Sequence, residues 1–593
     1  MFRKSTLLTI LTVALMLMVA VLMRDPISVL AAEDVNLSTP ERIEAAFQRG
    51  DITSAERILY LTYAIYEHES LPAVFDGTKG WHGTMTVREI HKTLAESRSS
   101  FPADVLMEID RVMNSRAATI CDREDGPNNT TTTNFYYNYD TIDGGLTIGD
   151  YTASMEAAYT KLVTEYNWAK PPLCTQDAVD AGGCSNANNL GGSGLYPVQI
   201  AAIGGSLFGY VTPNLGDGLY SGVVEDNPNT AAVETDSRAS CMVLNSDFSQ
   251  FSGNTAQENL DATTSHEYVH SVQFGYGDPQ NNDAMWFEST AAYFEDEMSD
   301  AANTANLYLW PTTTNCMGEW PNDAAPDGVS QYSAFLFFRH VAENAGGANA
   351  ANTGENVIQQ LWENIGQDQI GLVAMDNALN AASPSTNMND AYHNYAIAVR
   401  KSKSCTGGHT APYCFTEGDE YLASNDTPPP AQGSIAASPG SYSGSVNEHY
   451  ATNYVDLPTT GTFLVSLQNT ATDGVGQLRG SLVCDTGSAL NVYPLSQIAA
   501  NGQSATLNIN GGNCPSGLFL TITNQGTTAG TEPAAGSCPA SRAATNYTVT
   551  LGTATAVDMQ EIGTQSGNNN AILLAFVIAA TLGSVAIVRK RNG

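Results

Sequence analysis

The chain has 593 residues, with 61 acidic against 25 basic side chains and a formal net charge of −36. That balance excludes nucleic acid as a partner, because phosphates would be repelled, and the length exceeds a single core, calling for about three domains. Only 15% of residues are charged, so Asn, Thr, Ser and Gly carry solubility, as is common in exported proteins, and the acidity implies chiefly self-repulsion.

Residues 1–32 read as an export signal. Arg3 and Lys4 precede an apolar run from Leu7 to Met23, and Val29-Leu30-Ala31-Ala32 offers small residues for cleavage. The mature chain is expected to begin near Ala32; an uncleaved anchor is the alternative, against the helix-breaking Asp25-Pro26. Residues 33–115 carry a helical pattern. Ser38-Thr39-Pro40-Glu41 and Thr53-Ser54-Ala55-Glu56 resemble capping boxes, and the second opens onto Ile58, Leu59, Leu61 and Ile65 at helix-face spacing. A Trp81-His82-Gly83 turn then leads to amphipathic segments at Val87–Glu96 and Ala103–Met113. This part is either a pro-region or a helical subdomain packed on the catalytic domain.

Residues 116–424 have a different texture. A strand-like Phe135–Tyr139 precedes an amphipathic helix over Tyr151–Trp168, then strands near Tyr196–Ala202 and Leu207–Val211. Strand, helix and more strands in this order suit an α+β lobe. Cys241–Leu244 is the last strand before the stretch that carries the chemistry.

That stretch contains His266-Glu267-Tyr268-Val269-His270. In a helix, His266 and His270 at i and i+4 leave one face together, and two neutral imidazoles there can hold one metal ion. Glu267 is placed to take a proton from a zinc-activated water. With nine histidines in the whole chain, chance placement is a poor explanation of the pattern. Catalytic zinc keeps three protein ligands and an open position, so a third ligand must arrive from elsewhere. Glu288 is the candidate. It lies 18 residues after His270, beyond an Asp278–Asp283 turn, on a second helical segment packed through Trp286, Phe287, Tyr293 and Phe294.

These motifs together resemble a gluzincin zinc metallopeptidase, the class with two histidines from the motif and a downstream glutamate. Thr264–Tyr276 and Trp286–Glu297 are most similar to the peptidase-MA-like secreted proteases. Thermolysin relatives carry an acid four residues after the third ligand, where this chain has Ala292, and the Gly-x-Met-Glu-Asn exopeptidase motif is not found. The resemblance therefore implies a zincin-like domain, Zn2+ as cofactor, and endopeptidase activity on a peptide or protein substrate. It also implies an edge strand that pairs with extended substrate. Cys241–Leu244 is either that strand or an interior one. Glu295, seven residues after Glu288, is either a carboxylate orienting a ligating histidine or a solvated helix acid. Tyr332, opening the apolar helix Ser330–His340, is either a donor to the developing oxyanion or a core tyrosine. Helical segments at Val357–Ile365 and Asp376–Ala381 continue the lower lobe, and His340 and His393, among apolar residues, read as packed.

A Pro-rich linker at 425–435 separates this region from β-rich runs at 436–555, spaced as in a β-sandwich. A stalk over 556–570 leads to Ala571–Val588, an apolar run about 27 Å long as a helix and close to the ~30 Å hydrocarbon core. Arg589-Lys590-Arg591 follows in the tail 589–593. The expectation is a transmembrane helix, a cytoplasmic C-terminus, and a single-pass protein whose ectodomain lies outside the cell. Ten cysteines favour disulfides, with Cys174–Cys184, Cys405–Cys414, and Cys484 with Cys514 or Cys538 as candidate pairs. The composite reading is a membrane-anchored, extracytoplasmic zinc endopeptidase. Its rival is a surface adhesin or binding module that keeps the zincin fold without cleaving, a role that needs the ligands but not Glu267.

Overall fold

The structure, a computed structural model, describes residues 37–120, 128–173, 194–213, 223–277, 284–303, 309, 330–345, 354–369, 371–382, 385–423, 428–447, 450–471, 477–498, 502–525 and 544–554. The expected export signal, the Asp278–Asp283 turn, Cys174, Cys184, Cys538, and everything from the stalk onward lie outside them.

The N-terminal segment is helical: α1 (Thr39–Gln48), α2 (Ser54–Tyr66), α3 (Thr84–Ser97) and α4 (Ala103–Ile120). Both expected capping boxes are made. Ser38 and Thr53 accept from the backbone N–H of Glu41 and Glu56, whose carboxylates reach back to the cap N–H groups. The apolar faces close over Ile43, Ile58, Leu61, Val87 and Ile90, and this core also takes in Leu207, Tyr210 and Val243 from the neighbouring sheet.

That sheet comprises β1 (Asn128–Thr131), β2 (Phe135–Tyr139), β3 (Tyr196–Ala201), β4 (Gly209–Thr212) and β7 (Cys241–Asn245), in the order β1-β2-β3-β7-β4. β2, β3 and β7 run parallel, and β4 is antiparallel to β7 at the margin. Cys241–Leu244 is therefore interior, and the margin facing the N-terminal helices is β4. A short antiparallel pair, β5 (Val223–Glu225) and β6 (Ser237–Arg238), lies between β4 and β7 in sequence. Helix α5 (Ile148–Tyr159) continues into a π-turn over Thr160–Glu165.

Helix α6 (Ala256–Phe274) is the axis of this domain. Its start is set by a capping box between Thr255 and Glu258, and every residue from Leu260 to Phe274 is buried except Asp261. A helix buried all round lies in the middle of a core. It packs on α5, β4, β7 and α7 (Ala284–Met298). Beyond it come α8 (Ser330–Ser333), α9 (Phe335–Asn344), α10 (Glu355–Ile365), α11 (Gly371–Ala381), α12 (Met388–Lys401) and α13 (Gly418–Ala423). One continuous core joins Phe287, Phe338, Trp362 and Leu379 from this lower lobe to Tyr137, Met242 and Val269 above.

The C-terminal part is two facing antiparallel sheets. One has the order β13 (Leu490–Pro494), β12 (Leu478–Asp485), β15 (Gly517–Asn524), β10 (Ala451–Asp456), β8 (Gly433–Ser434), with β8 alone parallel to its neighbour; the other has β14 (Ser504–Asn510), β11 (Thr462–Asn469), β16 (Thr545–Thr553), β9 (Gly440–Val446). Val455, Val465, Leu482, Leu520 and Val549 fill the space between. Disulfides join Cys405 to Cys414 and Cys484 to Cys514.

The mixture of helix and sheet stands, but the expected transmembrane helix does not, and the single-pass membrane placement drawn from it is withdrawn. No helix among the described residues is long and apolar enough to cross a membrane, and the run 571–588 is outside them. The longest helix among them, Ala256–Phe274, carries Glu258, Asp261 and Glu267 and is buried in protein, where a membrane span would meet hydrocarbon intolerant of those charges.

Candidate metal centre

His266 and His270 leave the same face of α6 and meet Glu288, which α7 delivers from the opposite side. His266 Nε2 lies 3.0 Å from His270 Nε2 and 3.1 Å from Glu288 Oε2, and His270 Nε2 lies 3.4 Å from the same oxygen. All three side chains are fully buried. A tetrahedral zinc site with bonds of about 2.0–2.1 Å has ligand–ligand edges of about 3.3–3.4 Å, so the triangle is close to the size a zinc ion requires.

Two further observations support the fit. Two imidazole nitrogens facing each other at 3.0 Å need a proton or a cation between them. The second oxygen of Glu288, Oε1, is buried and has no hydrogen-bond partner among the described residues, although buried carboxylate oxygens are normally satisfied. Two neutral nitrogen donors and one carboxylate are also the donor chemistry zinc prefers.

The outer nitrogens of both rings are anchored. His266 Nδ1 donates to Glu295 Oε2 at 3.0 Å, and His270 Nδ1 donates to Gln273 Oε1 at 2.7 Å. Gln273 is held in turn by donating to Phe287 O and Thr290 Oγ1. Phe287 stacks on His270 with centroids 4.2 Å apart and planes 6° from parallel. Both rings are thus fixed in rotation with Nε2 inward, the tautomer a metal ligand needs.

The electrostatics favour positive charge. Burial alone would push the His266 pKa down, but the flanking carboxylates of Glu288 and Glu295 lift it to about 10. Burial works to raise Glu288, yet the imidazoles of His270 and His266 hold it far below the usual carboxylate range. Glu267 is likewise lowered overall: burial raises it, and His82, His270 and His266 outweigh that.

Glu267 lies beside this triangle, fully buried, with both oxygens engaged. His82 Nδ1 donates to Oε1 at 2.9 Å, and the Thr84 hydroxyl donates to Oε2 at 2.7 Å. His82 also stacks flat on His266, with centroids 3.8 Å apart and planes at 17°. The fifth expected residue, Tyr332 on α8, is buried with its ring centroid 6.0 Å from that of His266 and 6.3 Å from that of His82. The structure therefore brings His266, Glu267, His270, Glu288 and Tyr332 together. His340 and His393 lie elsewhere: His340 donates to Pro412 O, and His393 contacts Thr523 and Ser481.

Sequence reasoning missed His82, Thr84 and Gln273. Gln273 was legible in principle, three residues after His270 and so on its face. His82 and Thr84 arrive from more than 180 residues away, and nothing local marks them beyond the non-periodic turn in which His82 sits.

No protein-family profile matches the chain, and no curated protein matches it. Among solved structures, the pre-peptidase C-terminal domain of a collagenase from Bacillus anthracis aligns at 16% identity over 21% of this chain and 96% of that one, with a TM-score of 0.14. The N-terminal CBM22-1–GH10 modules of endo-1,4-beta-D-xylanase 10B from Clostridium thermocellum, solved with xylohexaose, align at 12% identity over 22% of this chain and 26% of that one, with a TM-score of 0.12. Superpositions this poor carry no argument about fold or function.

Proposed function

We propose that the chain is a zinc-dependent endopeptidase. The observation that carries this reading is the convergence of His266 Nε2, His270 Nε2 and Glu288 Oε2 within 3.4 Å of one another, with the Glu267 carboxylate one residue along the same helix. A structural metal site has use for the three ligands but none for Glu267.

His266, His270 and Glu288 would hold the ion, which when bound would supply Lewis acidity toward a substrate carbonyl and make water a competent nucleophile near neutral pH. Glu267 accepts the proton of the attacking water and returns it to the departing amine nitrogen, a task suited to a carboxylate that retains acceptor capacity beyond its bonds to His82 and Thr84. The Tyr332 phenol donates to the carbonyl oxygen as it gains negative charge. Glu295 and Gln273 keep the histidines in the ligating tautomer throughout. The disulfides fit a chain that folds in oxidising surroundings.

The test is Glu267→Gln, which keeps side-chain size and removes the basic carboxylate. Zinc content should stay at about one ion per chain while cleavage of casein or a peptide library falls by ~10²- to 10⁴-fold. A zinc-loaded wild type that cleaves nothing, or a Glu267→Gln variant as fast as wild type, overturns the hydrolytic reading.

A further inference from the structure

Among the described residues, the side chains that donate to the Glu267 carboxylate both belong to the N-terminal helical segment: His82 Nδ1 to Oε1, and Thr84 Oγ1 to Oε2. That segment is built into the sheet. Trp81 N–H donates to Ser206 O at 3.0 Å, Phe208 N–H to Trp81 O at 2.9 Å, and Gly83 N–H to Gly209 O at 2.8 Å, so residues 81–83 are bonded along residues 206–209, where β4 begins, through one parallel bridge between Trp81 and Leu207. The approach at Gly83 is close, since a Cβ there would sit 2.9–3.1 Å from side-chain atoms of Leu207, Ile65 and Tyr210.

The polarity of the Thr84 contact is fixed by the same strand. Val211 N–H donates to Thr84 Oγ1 at 2.8 Å, which engages the hydroxyl oxygen as an acceptor and leaves its proton for Glu267. His82 is constrained as well, by its stack on His266 and by the Phe208 ring, with centroids 5.2 Å apart. A glutamate side chain has three rotatable bonds, and these two donors select one of its arrangements.

We infer that His82 and Thr84 are positioning residues for Glu267, and that the N-terminal helical segment is a working part of the catalytic centre rather than a removable pro-region. The inference rests on the hydrolytic reading. Stripping the segment would leave a buried carboxylate without its two donors and uncover the apolar side chains of Leu207, Tyr210 and Val243.

The test uses the full chain, with kcat and KM on a peptide substrate, zinc content, and thermal unfolding of the metal-free protein. Thr84→Val and His82→Phe keep shape while removing the donors. Each should lower kcat by roughly 10- to 100-fold, the range for residues that act through a neighbour, with KM and zinc content unchanged. Thr84→Ser, which restores a hydroxyl, and His82→Asn, whose amide nitrogen can stand in for Nδ1, should recover most of the loss. In metal-free protein, Thr84→Val should lower Tm more when residue 267 is Glu than in a Glu267→Leu background, where only the bond from Val211 N–H is left to lose. Wild-type rates in Thr84→Val and His82→Phe, or additive Tm changes, overturn the inference while leaving the hydrolytic reading in place. Faster cleavage by either variant overturns it in favour of an inhibitory pro-region. If Thr84→Val or His82→Phe fails to fold, the rescue variants decide alone: Thr84→Ser or His82→Asn that folds, binds zinc and yet loses cleavage as fully as Glu267→Gln removes the donor argument. A zinc-loaded wild type with no cleavage overturns both readings together.

Discussion

Glu295 Oε2 stands 3.0 Å from His266 Nδ1, on the opposite side of the ring from Glu288. The imidazole is thereby clamped between two carboxylates, one binding its outer nitrogen and the other sharing its inner face. Glu295→Ala should weaken zinc affinity by ~10- to 100-fold without abolishing binding, as measured by competition with a chromogenic chelator. Unchanged affinity would reduce Glu295 to a packing role.

Removing an inner donor should have a larger effect. His266→Ala, His270→Ala and Glu288→Ala should each take zinc content from about one ion per chain to near zero in dialysed protein, read by elemental analysis. Full retention in Glu288→Ala would strike that residue from the ligand set.

Tyr332 is close enough to the histidines for a role that its hydroxyl alone would carry. Tyr332→Phe keeps the ring contacts with His266 and His82 and should lower kcat by ~10²-fold, in the range for loss of one oxyanion donor, with melting temperature and zinc content held. A stable, zinc-replete variant with wild-type kcat would make Tyr332 a core residue.

A pH effect should come from Glu355. Burial, with repulsion from Glu297, lifts its pKa from 4.5 to about 7; Tyr293 donates to Oε1 at 3.0 Å, and Oε2 has no partner among the described residues. Because the folded-state value is raised, the native state binds this proton more tightly than the unfolded chain. Its contribution is fully present below about pH 4.5 and is lost as pH rises through 7, by up to about 3 kcal/mol for a shift of this size. Glu355→Gln retains an acceptor for Tyr293 and carries no charge. Its Tm should exceed that of wild type at pH 8, with the gap closing towards pH 4.5; calorimetry at the two pH values checks it.

What the sequence disclosed was local. His266 and His270 are four residues apart on one helix, Glu288 and Glu295 seven apart on another, and the capping boxes at Ser38 and Thr53 span four residues each, so periodicity was enough to read them. The alternating runs of β11 and β16 were legible for the same reason. Helix α12 was not, because Tyr392, His393, Tyr395 and small alanines stand between the aliphatic positions Met388, Ile397 and Val399 on its buried side. Strand β9, Gly-Ser-Tyr-Ser-Gly-Ser-Val, escaped notice because its residues down to Ser445 are at most half-buried and its place is set by pairing with β16. The interior position of β7 and the arrival of His82 and Thr84 at Glu267 depend on how distant segments are threaded, which no window of sequence contains.

His393 makes 2.8 Å contacts with both Thr523 and Ser481, and burial keeps its imidazole neutral. Around it, Ile397 joins Tyr454, Val483 and Phe519 in a shared apolar cluster, while Lys401 reaches Asp485 and Arg479 reaches Asp390. The helix before the proline-rich stretch and the sheets after it therefore share a packed, hydrogen-bonded interface. Cutting the chain there would leave Ile397 and the ring of Tyr392 facing water, so the shortest stably folded form of this chain should end after residue 554, beyond its last described strand, and not at the linker.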